Sequence, residues 1–306
     1  MNIVNIIFSY VVFPGFVFSA VVGLFVTWID RKVTARIHWR VGPPWYQPYA
    51  DFLKLLLKET IIPEGSSKAL FLLGPMLGLT AMTVFAVMLF SMNFNPHQSF
   101  VGDLIVMIYL LALPPIGIII GGSASKNPLA GVGVSREMTQ YFAYELPFLI
   151  ALASVILKAG GSLKFSDIIL AQETSSPFLY SISGVIAAVV ILLSIQAKLS
   201  FVPFDIPEAE QEIMAGPYIE YSGVALAMYK VTRAMMYFLL PLFLISVLWG
   251  GFANQWAILK FLLIVVLIVL LKNTNPRLRI DQALKFFWVR LGILSIIGLV
   301  LAFYGL

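Results

Sequence analysis

Long uncharged apolar stretches alternate with short charged ones along this chain. Residues 1–29, 69–102, 104–125, 178–197 and 234–259 hold no Asp, Glu, Lys or Arg. Each is at least as long as the roughly 20 residues a helix needs to cross about 30 Å of hydrocarbon. Residues 138–157 read the same way apart from Glu145, and two more candidates end the chain. A bilayer core leaves backbone groups no partners but one another, so these stretches predict transmembrane helices. The expected fold is an all-α polytopic membrane protein with about eight helices, near 4–28, 70–92, 104–123, 138–157, 179–198, 233–249, 254–271 and 286–304. Only Gly250-Gly251 and Asn254-Gln255 punctuate the sixth and seventh.

The polar intervals set the expected topology. The helices alternate sides, so the loops beginning at residues 30, 124, 199 and 272 share one face. Those loops and their flanks hold 17 of the 20 Lys and Arg residues, leaving Lys158, Lys164 and Lys260 toward the other face. By the positive-inside rule the long loops are cytoplasmic and both termini face outward. Residues 48–60 carry Asp51, Lys54 and Lys58 on one side and Phe52, Leu53, Leu56 and Leu57 on the other, as a helix lying in the interface would. A weaker pattern of the same kind covers 162–172. No repeat, low-complexity tract or long linker divides the chain, so 1–306 reads as one membrane domain. The N-terminus has no basic region and too long an apolar stretch for a cleavable signal peptide.

Composition agrees and narrows the chemistry. The chain is 60% hydrophobic and 11% charged, where soluble domains carry about 25% charged residues. With no cysteine, it can hold no cysteine-ligated iron–sulfur cluster, disulfide or thiol nucleophile. Its two histidines, His38 and His97, fall on opposite predicted faces and cannot share one haem. There is no phosphate-binding GxxxxGK[ST] loop, and Gly131–Gly133 lacks the third glycine and preceding strand of a dinucleotide fold. No catalytic, metal or cofactor-binding residue is expected in the chain itself.

The acids are distributed unevenly. Residues 200–223, SFVPFDIPEAEQEIMAGPYIEYSG, hold Asp205, Glu208, Glu210, Glu212 and Glu220 with no Lys or Arg, a third of the 15 acids. Pro207 suits a first helical position, which would place Glu208 and Glu212 on one face at i, i+4 with Glu210 pointing away. Acids near a helix N-terminus complement its dipole, which explains one or two of them but not four between 205 and 212. Crowded carboxylates raise one another's proton affinity, as a relay or cation path needs; a docking surface for a basic partner is the other reading. No histidine lies near to complete a carboxylate-bridged metal site. Glu145 stands inside the fourth helix, where a carboxylate costs about 2.5–3.5 kcal/mol to insert. It is either a proton carrier or hydrogen-bonded to a neighbouring helix through a tyrosine. Arg31, Lys32, Arg36 and Arg40 after the first helix, and NTNPRLRIDQ at 273–282, read equally as topology anchors or as an interface. Pro75, Pro114, Pro115, Pro147 and Pro241 read as kinks.

Four motifs, in order, resemble one family. IDRKVTARIHWRVGP (29–43) is similar to the Glu-Arg-Lys stretch of the membrane heel subunit of respiratory complex I, which bacteria designate by the letter H and mitochondria by the number 1. VSREMTQYFAYELP matches its Arg…Gln…Tyr-Glu motif through Arg136, Gln140, Tyr144 and Glu145. PFDIPEAEQEIMAGPYIEYSG resembles its acidic loop, and NPRLRIDQ its Pro-Arg-x-Arg-x-Asp-Gln motif. Asp30 replaces the usual Glu and His38 the usual Gln. Quinone-reducing members place Glu-Thr-Asn-Arg before Pro-Phe-Asp, where this chain has Lys198, Leu199, Ser200 and Phe201. In that respect it resembles the membrane anchor of energy-converting [NiFe]-hydrogenases, formate hydrogenlyases and the archaeal sulfane-sulfur reductase.

The resemblance implies a subunit of a prokaryotic cell-membrane oxidoreductase that drives H⁺ or Na⁺ outward. Its expected partners are peripheral hydrogenase-like and iron–sulfur subunits, antiporter-like and small membrane subunits, and lipid, with no nucleic acid. Iron–sulfur clusters, and a NiFe centre in the hydrogenase case, would belong to those partners. Asp205, Glu208, Glu210, Glu212 and Glu220 would form an acidic funnel that Glu145 continues into the bilayer. Asp30, Arg31, Lys32, Arg36, Arg40, Arg136, Arg277, Arg279 and Asp281 would hold the peripheral arm. Alternatives are a quinone-site subunit of a complex I-like dehydrogenase and a stand-alone secondary transporter, though the paired interrupted helices of many transporters are not evident.

Overall fold

The computed structural model describes residues 3–306, with Glu210 described by its backbone alone. The described elements are helical: α1 (Ile3–Val11), α2 (Phe16–Ile37), α3 (Gln47–Leu56), α4 (Lys68–Phe94), α5 (Asp103–Ala124), α6 (Pro128–Lys158), α7 (Phe165–Thr174), α8 (Ile182–Lys198), α9 (Glu210–Ile213), α10 (Gly223–Leu248), α11 (Ala257–Thr274), α12 (Ile280–Lys285) and α13 (Gly292–Phe303), with a π-helical stretch Phe286–Leu291 joining the last two. Among the described residues, seven spans are long and apolar enough to cross a bilayer, and α8 is a shorter apolar eighth. The protein is polytopic and all-helical.

The differences from the expected spans lie at the charged ends. The helix expected at 4–28 breaks at Pro14, which has no N–H to continue the ladder, and its second half runs on to Ile37. Arg31, Lys32 and Arg36 therefore extend a helix instead of opening a loop. The helix expected at 138 starts ten residues earlier, because Pro128 suits a first turn and the Asn127 side chain caps it, accepting from Leu129 N at 2.9 Å. The helix expected at 233 starts at Gly223. In each case charged residues continue a helix past its apolar stretch.

α10 is the axis of the bundle, with every residue from Ala234 to Leu248 buried. α2, α4, α8 and α11 pack around it, and α6 joins α5, α8 and α13 on the outside. The α4–α5 contact is the closest: a Cβ on Gly117 would lie 2.4 Å from the Gly74 carbonyl oxygen, so only glycine allows it. Both described chain ends lie opposite the long loops. Phe13 packs on Phe90 near the end of α4, and the Leu306 carbonyl accepts from Ser183 at the start of α8.

Candidate functional site

At the end of the bundle that carries the long loops, segment 199–222 folds across the helix tips and is tied down by polar side chains from the surrounding helices. Gln140 of α6 donates to Ala197 O (3.1 Å) and Phe204 O (2.8 Å). Gln196 of α8 donates to Val202 O at 2.7 Å. Arg233 of α10 spends its guanidinium on the same turn: Nε donates to Leu199 O (3.0 Å) and Nη2 to Ser200 O (2.8 Å). Its Nη1 reaches both Glu208 oxygens, at 2.9 and 2.7 Å. That fork serves a carboxylate and two carbonyls at once, geometry a lysine cannot supply. The same bonds brace Ser200, which sits in the left-handed region at φ 49°.

The acids of this segment are not crowded together. After Pro207 the chain makes one 3₁₀ turn, Ile206–Glu208, and then the four-residue α9. The i, i+4 helix expected there does not form, and Glu208 and Glu212 point to different cations. Asp205 pairs with Arg277 (2.8 Å), Glu208 with Arg233 (2.7 Å) and Glu212 with Arg136 (2.6 Å). Glu220 accepts from Asn127 Nδ2 at 2.6 Å. The side chain of Glu210 lies outside the described residues. Segment 200–223 has no base of its own, yet the fold supplies a cation to three of its acids from parts of the chain far away in sequence.

The same holds deeper in. Glu145 is bound not by a tyrosine but by Lys198, whose Nζ lies 2.6 Å from Oε2 with 1% of its side chain exposed. The Lys198 ammonium also sits over the Tyr144 and Phe148 rings, 4.8 and 4.6 Å from their centroids. Asp30 is buried and pairs with Lys272 at 2.8 Å.

Two openings meet the loop pairs and Asp30–Lys272, and neither is lined by Glu145 or Lys198. A cavity of about 560 Å³ between α2, α3, α10 and the loop is lined by Asp30, Arg31, Asp205, Glu208, Arg233 and Lys272, among others. A groove of about 500 Å³ is lined by Arg136, Asp205, Glu212, Arg277, Arg279 and Asp281. The expected interface residues thus divide between them, while Lys32, Arg36 and Arg40 line neither. Lys32 donates to Val41 O at 2.9 Å; Arg36 is exposed at the end of α2, and Arg40 is exposed just beyond it. Farther along the loop, burial and the nearby Glu208 push the Tyr218 phenol well above its ordinary range, and burial pushes Tyr221 up to about 12. Both stay neutral donors at physiological pH, and Tyr221 donates to Phe71 O at 2.9 Å.

Sequence reading missed four participants: Arg233, Lys198, Lys272 and Glu137. Arg233 is the one arginine in α10, and a charge inside an apolar run is the signal that singles out Glu145. Glu137 is 4% exposed and, among the described residues, receives no hydrogen bond. It lies within electrostatic reach of Glu208, Arg233 and Tyr144. Glu137, Gln140 and Tyr144 follow i, i+3, i+7 spacing and are all buried, a polar stripe on an inward face.

Residues 9–303 match the family model described as NADH dehydrogenase. The chain is 32% identical over 308 residues to the H subunit of the NADH-quinone oxidoreductase of Geobacillus kaustophilus (strain HTA426), covering 94% of this chain and 91% of that protein. It is 36% identical over 291 residues to the corresponding protein, of the same name, from Bacillus thuringiensis (strain Al Hakam), covering 88% and 85%. A chain of the membrane-bound sulfane sulfur reductase, an archaeal respiratory membrane complex, superposes with a TM-score of 0.83 at 31% identity, covering 94% of this chain and 96% of that one. The chain belongs to the NADH dehydrogenase family of membrane heel subunits. It is a membrane subunit of the complex I-like oxidoreductase class. Within that family its loop has Phe201 where an arginine is expected, and two cations reach the ring from other helices: Arg233 at 5.1 Å and Lys272 at 4.8 Å.

Proposed function

We propose that this chain is the heel subunit of a redox-driven H⁺ or Na⁺ pump of the hydrogenase or sulfur-reductase type. Its charged end docks a peripheral catalytic arm, and a carboxylate path carries the coupling toward antiporter-like subunits. The chain has no cysteine, so the iron–sulfur clusters, and any NiFe centre, reside in partner subunits. The observation that carries this reading is the run of ion pairs from an exposed groove at Arg136–Glu212, through Glu208–Arg233, to the buried Glu145–Lys198 pair. Charges are seldom kept at such depth without a use. The loops face the cytoplasm and the termini face outward, a reading that the distribution of Lys and Arg supports.

The test is the complex that co-purifies in mild detergent, with metal analysis and ion transport in liposomes. Nickel with iron indicates a hydrogenase, iron alone a sulfur reductase or dehydrogenase. Glu145→Gln is expected to preserve turnover in detergent better than coupled ion movement; equal retention of both overturns the carboxylate path. Glu208→Gln with Glu212→Gln is expected to lower coupling too, whereas simple loss of the peripheral arm makes those acids docking residues. A quinone-site reading has one observation in its favour, the 560 Å³ cavity with Arg233 and Lys272 beside Phe201. Quinone in the purified complex, or sensitivity to quinone-site inhibitors, decides for it.

A further inference from the structure

We propose that Lys198 is the proton-transfer residue joining the cavity-side acids to Glu145, with a small chamber beside it that holds one bridging water. The proposal rests on the ion-pump reading above and makes it specific. Lys198 ends α8, and its ammonium is locked between Glu145 Oε2 and the faces of Tyr144 and Phe148. The same residue forms part of the wall of a chamber of about 20 Å³. Glu208, Tyr218, Tyr229, Thr232 and Arg233 line that chamber too. A void needs about 10–15 Å³ by this measure to hold a water, and two to four polar partners; the volume suffices, and the Glu208, Tyr218 and Tyr229 side chains offer partners in a wall that is otherwise largely apolar.

Lys198 therefore borders two environments, its amine on Glu145 and the residue itself in the chamber wall. On one side is Glu145, on the other a chamber that also touches Glu208, itself a wall of the large cavity. Glu145 is the charged partner of the Lys198 amine; the other charged and titratable groups around the pair and the chamber are Glu137 and Tyr144 from α6, Glu208 and Tyr218 from the loop, and Tyr229 and Arg233 from α10. Transfer needs no group from outside. An Nζ–H bond breaks and an Oε2–H bond forms, leaving a neutral amine and a carboxylic acid. The amine lone pair then takes a proton from the chamber water, which regains one from a proton arriving at Glu208. One proton has advanced to Glu145; until Glu145 passes it on, the ammonium of Lys198 stands opposite a neutral acid, and the faces of Tyr144 and Phe148 offset part of the cost of that unpaired charge. An amine can do this and a guanidinium cannot, because arginine does not give up its proton in proteins.

The test uses the assembled complex in proteoliposomes, comparing proton movement per turnover with turnover in detergent. Lys198→Arg keeps the charge opposite Glu145. It is expected to assemble and turn over while proton movement per turnover falls about 10²-fold, the low end of what acid–base groups contribute. Lys198→Met combined with Glu145→Gln removes both charges together and keeps the test open if the arginine variant fails to assemble; the same loss is expected. Wild-type proton movement per turnover in either variant overturns the relay and leaves Lys198 as a structural counter-charge. A wild-type complex that moves no ions defeats the ion-pump reading itself. One that moves Na⁺ without protons overturns the relay alone.

Discussion

The two ends of the bundle both bury polar side chains, and they treat them differently. At the end with the short loops, Asp103 accepts from Phe165 N at 2.7 Å and from Ser99. Gln172 donates to Ser246 O and Val247 O and accepts from Gly250 N. Asn93 accepts from Ser246 Oγ and Phe252 N. Most of these partners are backbone groups, and the bonds satisfy otherwise orphaned helix ends and turns. At the end with the long loops the partners are charges. The buried side-chain atoms lacking a hydrogen bond among the described residues, Gln140 Oε1, Tyr144 OH, Gln196 Oε1 and Tyr237 OH, all sit there. Glu137 is unbonded in the same neighbourhood. One end is a satisfied network that fixes loops. The other keeps spare hydrogen-bonding capacity beside ionisable groups, a costly arrangement in a low dielectric unless something uses it.

Removing a charge from the long-loop end is the strongest way to break that contrast. Arg233→Met leaves Glu208 unpaired and the Leu199 and Ser200 carbonyls without their donor. Truncating one member of a buried pair costs about 3–5 kcal/mol. The Arg233 side chain keeps 34% exposure, which puts the expected loss near the lower limit, about 3 kcal/mol. The double variant Glu208→Gln, Arg233→Met is expected to regain part of it, read as melting temperature of the purified complex. A single variant as stable as wild type would mean that the loop is held by its backbone alone. At the opposite end, Gln172→Leu strands two carbonyls and one N–H, for an expected loss of about 2 kcal/mol. Turnover and ion movement per folded complex should not change. If they do, the satisfied end is not merely structural.

How much of this is legible in the sequence follows from what each signal depends on. Spans are readable because uncharged runs of membrane length have few other uses; seven of the eight form at full length and α8 as a shorter one. Their charged ends are not, because Arg31, Arg136 and Lys230 look like loop residues when helix and bilayer are assumed to end together. The pairings are hidden by distance along the chain: Glu145 and Lys198 are 53 residues apart and Asp30 and Lys272 are 242. Lys198 reads in the sequence as a missing acid, when its position opposite Glu145 is a charge inversion that only the packing of α6 on α8 reveals. The family motifs are readable because they are local; the cations completing them are not.

Glu137 offers a finer test of the same contrast, since it is buried, acidic by type and unbonded. Glu137→Gln keeps shape and hydrogen-bonding capacity but removes the capacity to ionise. Stability is expected to stay the same or rise by about 1 kcal/mol, because a buried polar group without a partner is already a net cost. Ion movement per turnover is expected to fall while turnover in detergent persists. A variant that destabilises the complex and leaves coupling intact would place Glu137 with the satisfied polar groups of the other end.

The smallest effect belongs to a pair at the rim. Arg31 meets Asp51 of α3 at 2.9 Å with side chains 47% and 40% exposed, so the link is worth about 0.2–1 kcal/mol. Partial burial pulls the Asp51 carboxyl upward, but hydrogen bonds from Arg31 and Gln47, with the positive charges of Arg31 and Lys230, outweigh it and hold the group below its ordinary value of 3.8. A depressed carboxylate stabilises the fold above its unfolded pKa, and that contribution disappears as the pH falls through the folded value. The difference in melting temperature between wild type and Asp51→Asn is therefore expected to be present at about pH 6–7, to be no more than about 2 °C, and to fade as the pH drops through the depressed folded value, below 3.8. High salt should shrink it as well, since exposed pairs are screened within about 10 Å at roughly 0.1 M. The Glu145–Lys198 pair, sealed behind Tyr144 and Phe148, should ignore that salt. A salt response of equal size at both pairs would mean that water reaches Lys198 freely, and the distinction between a guarded pair and a rim pair would fail.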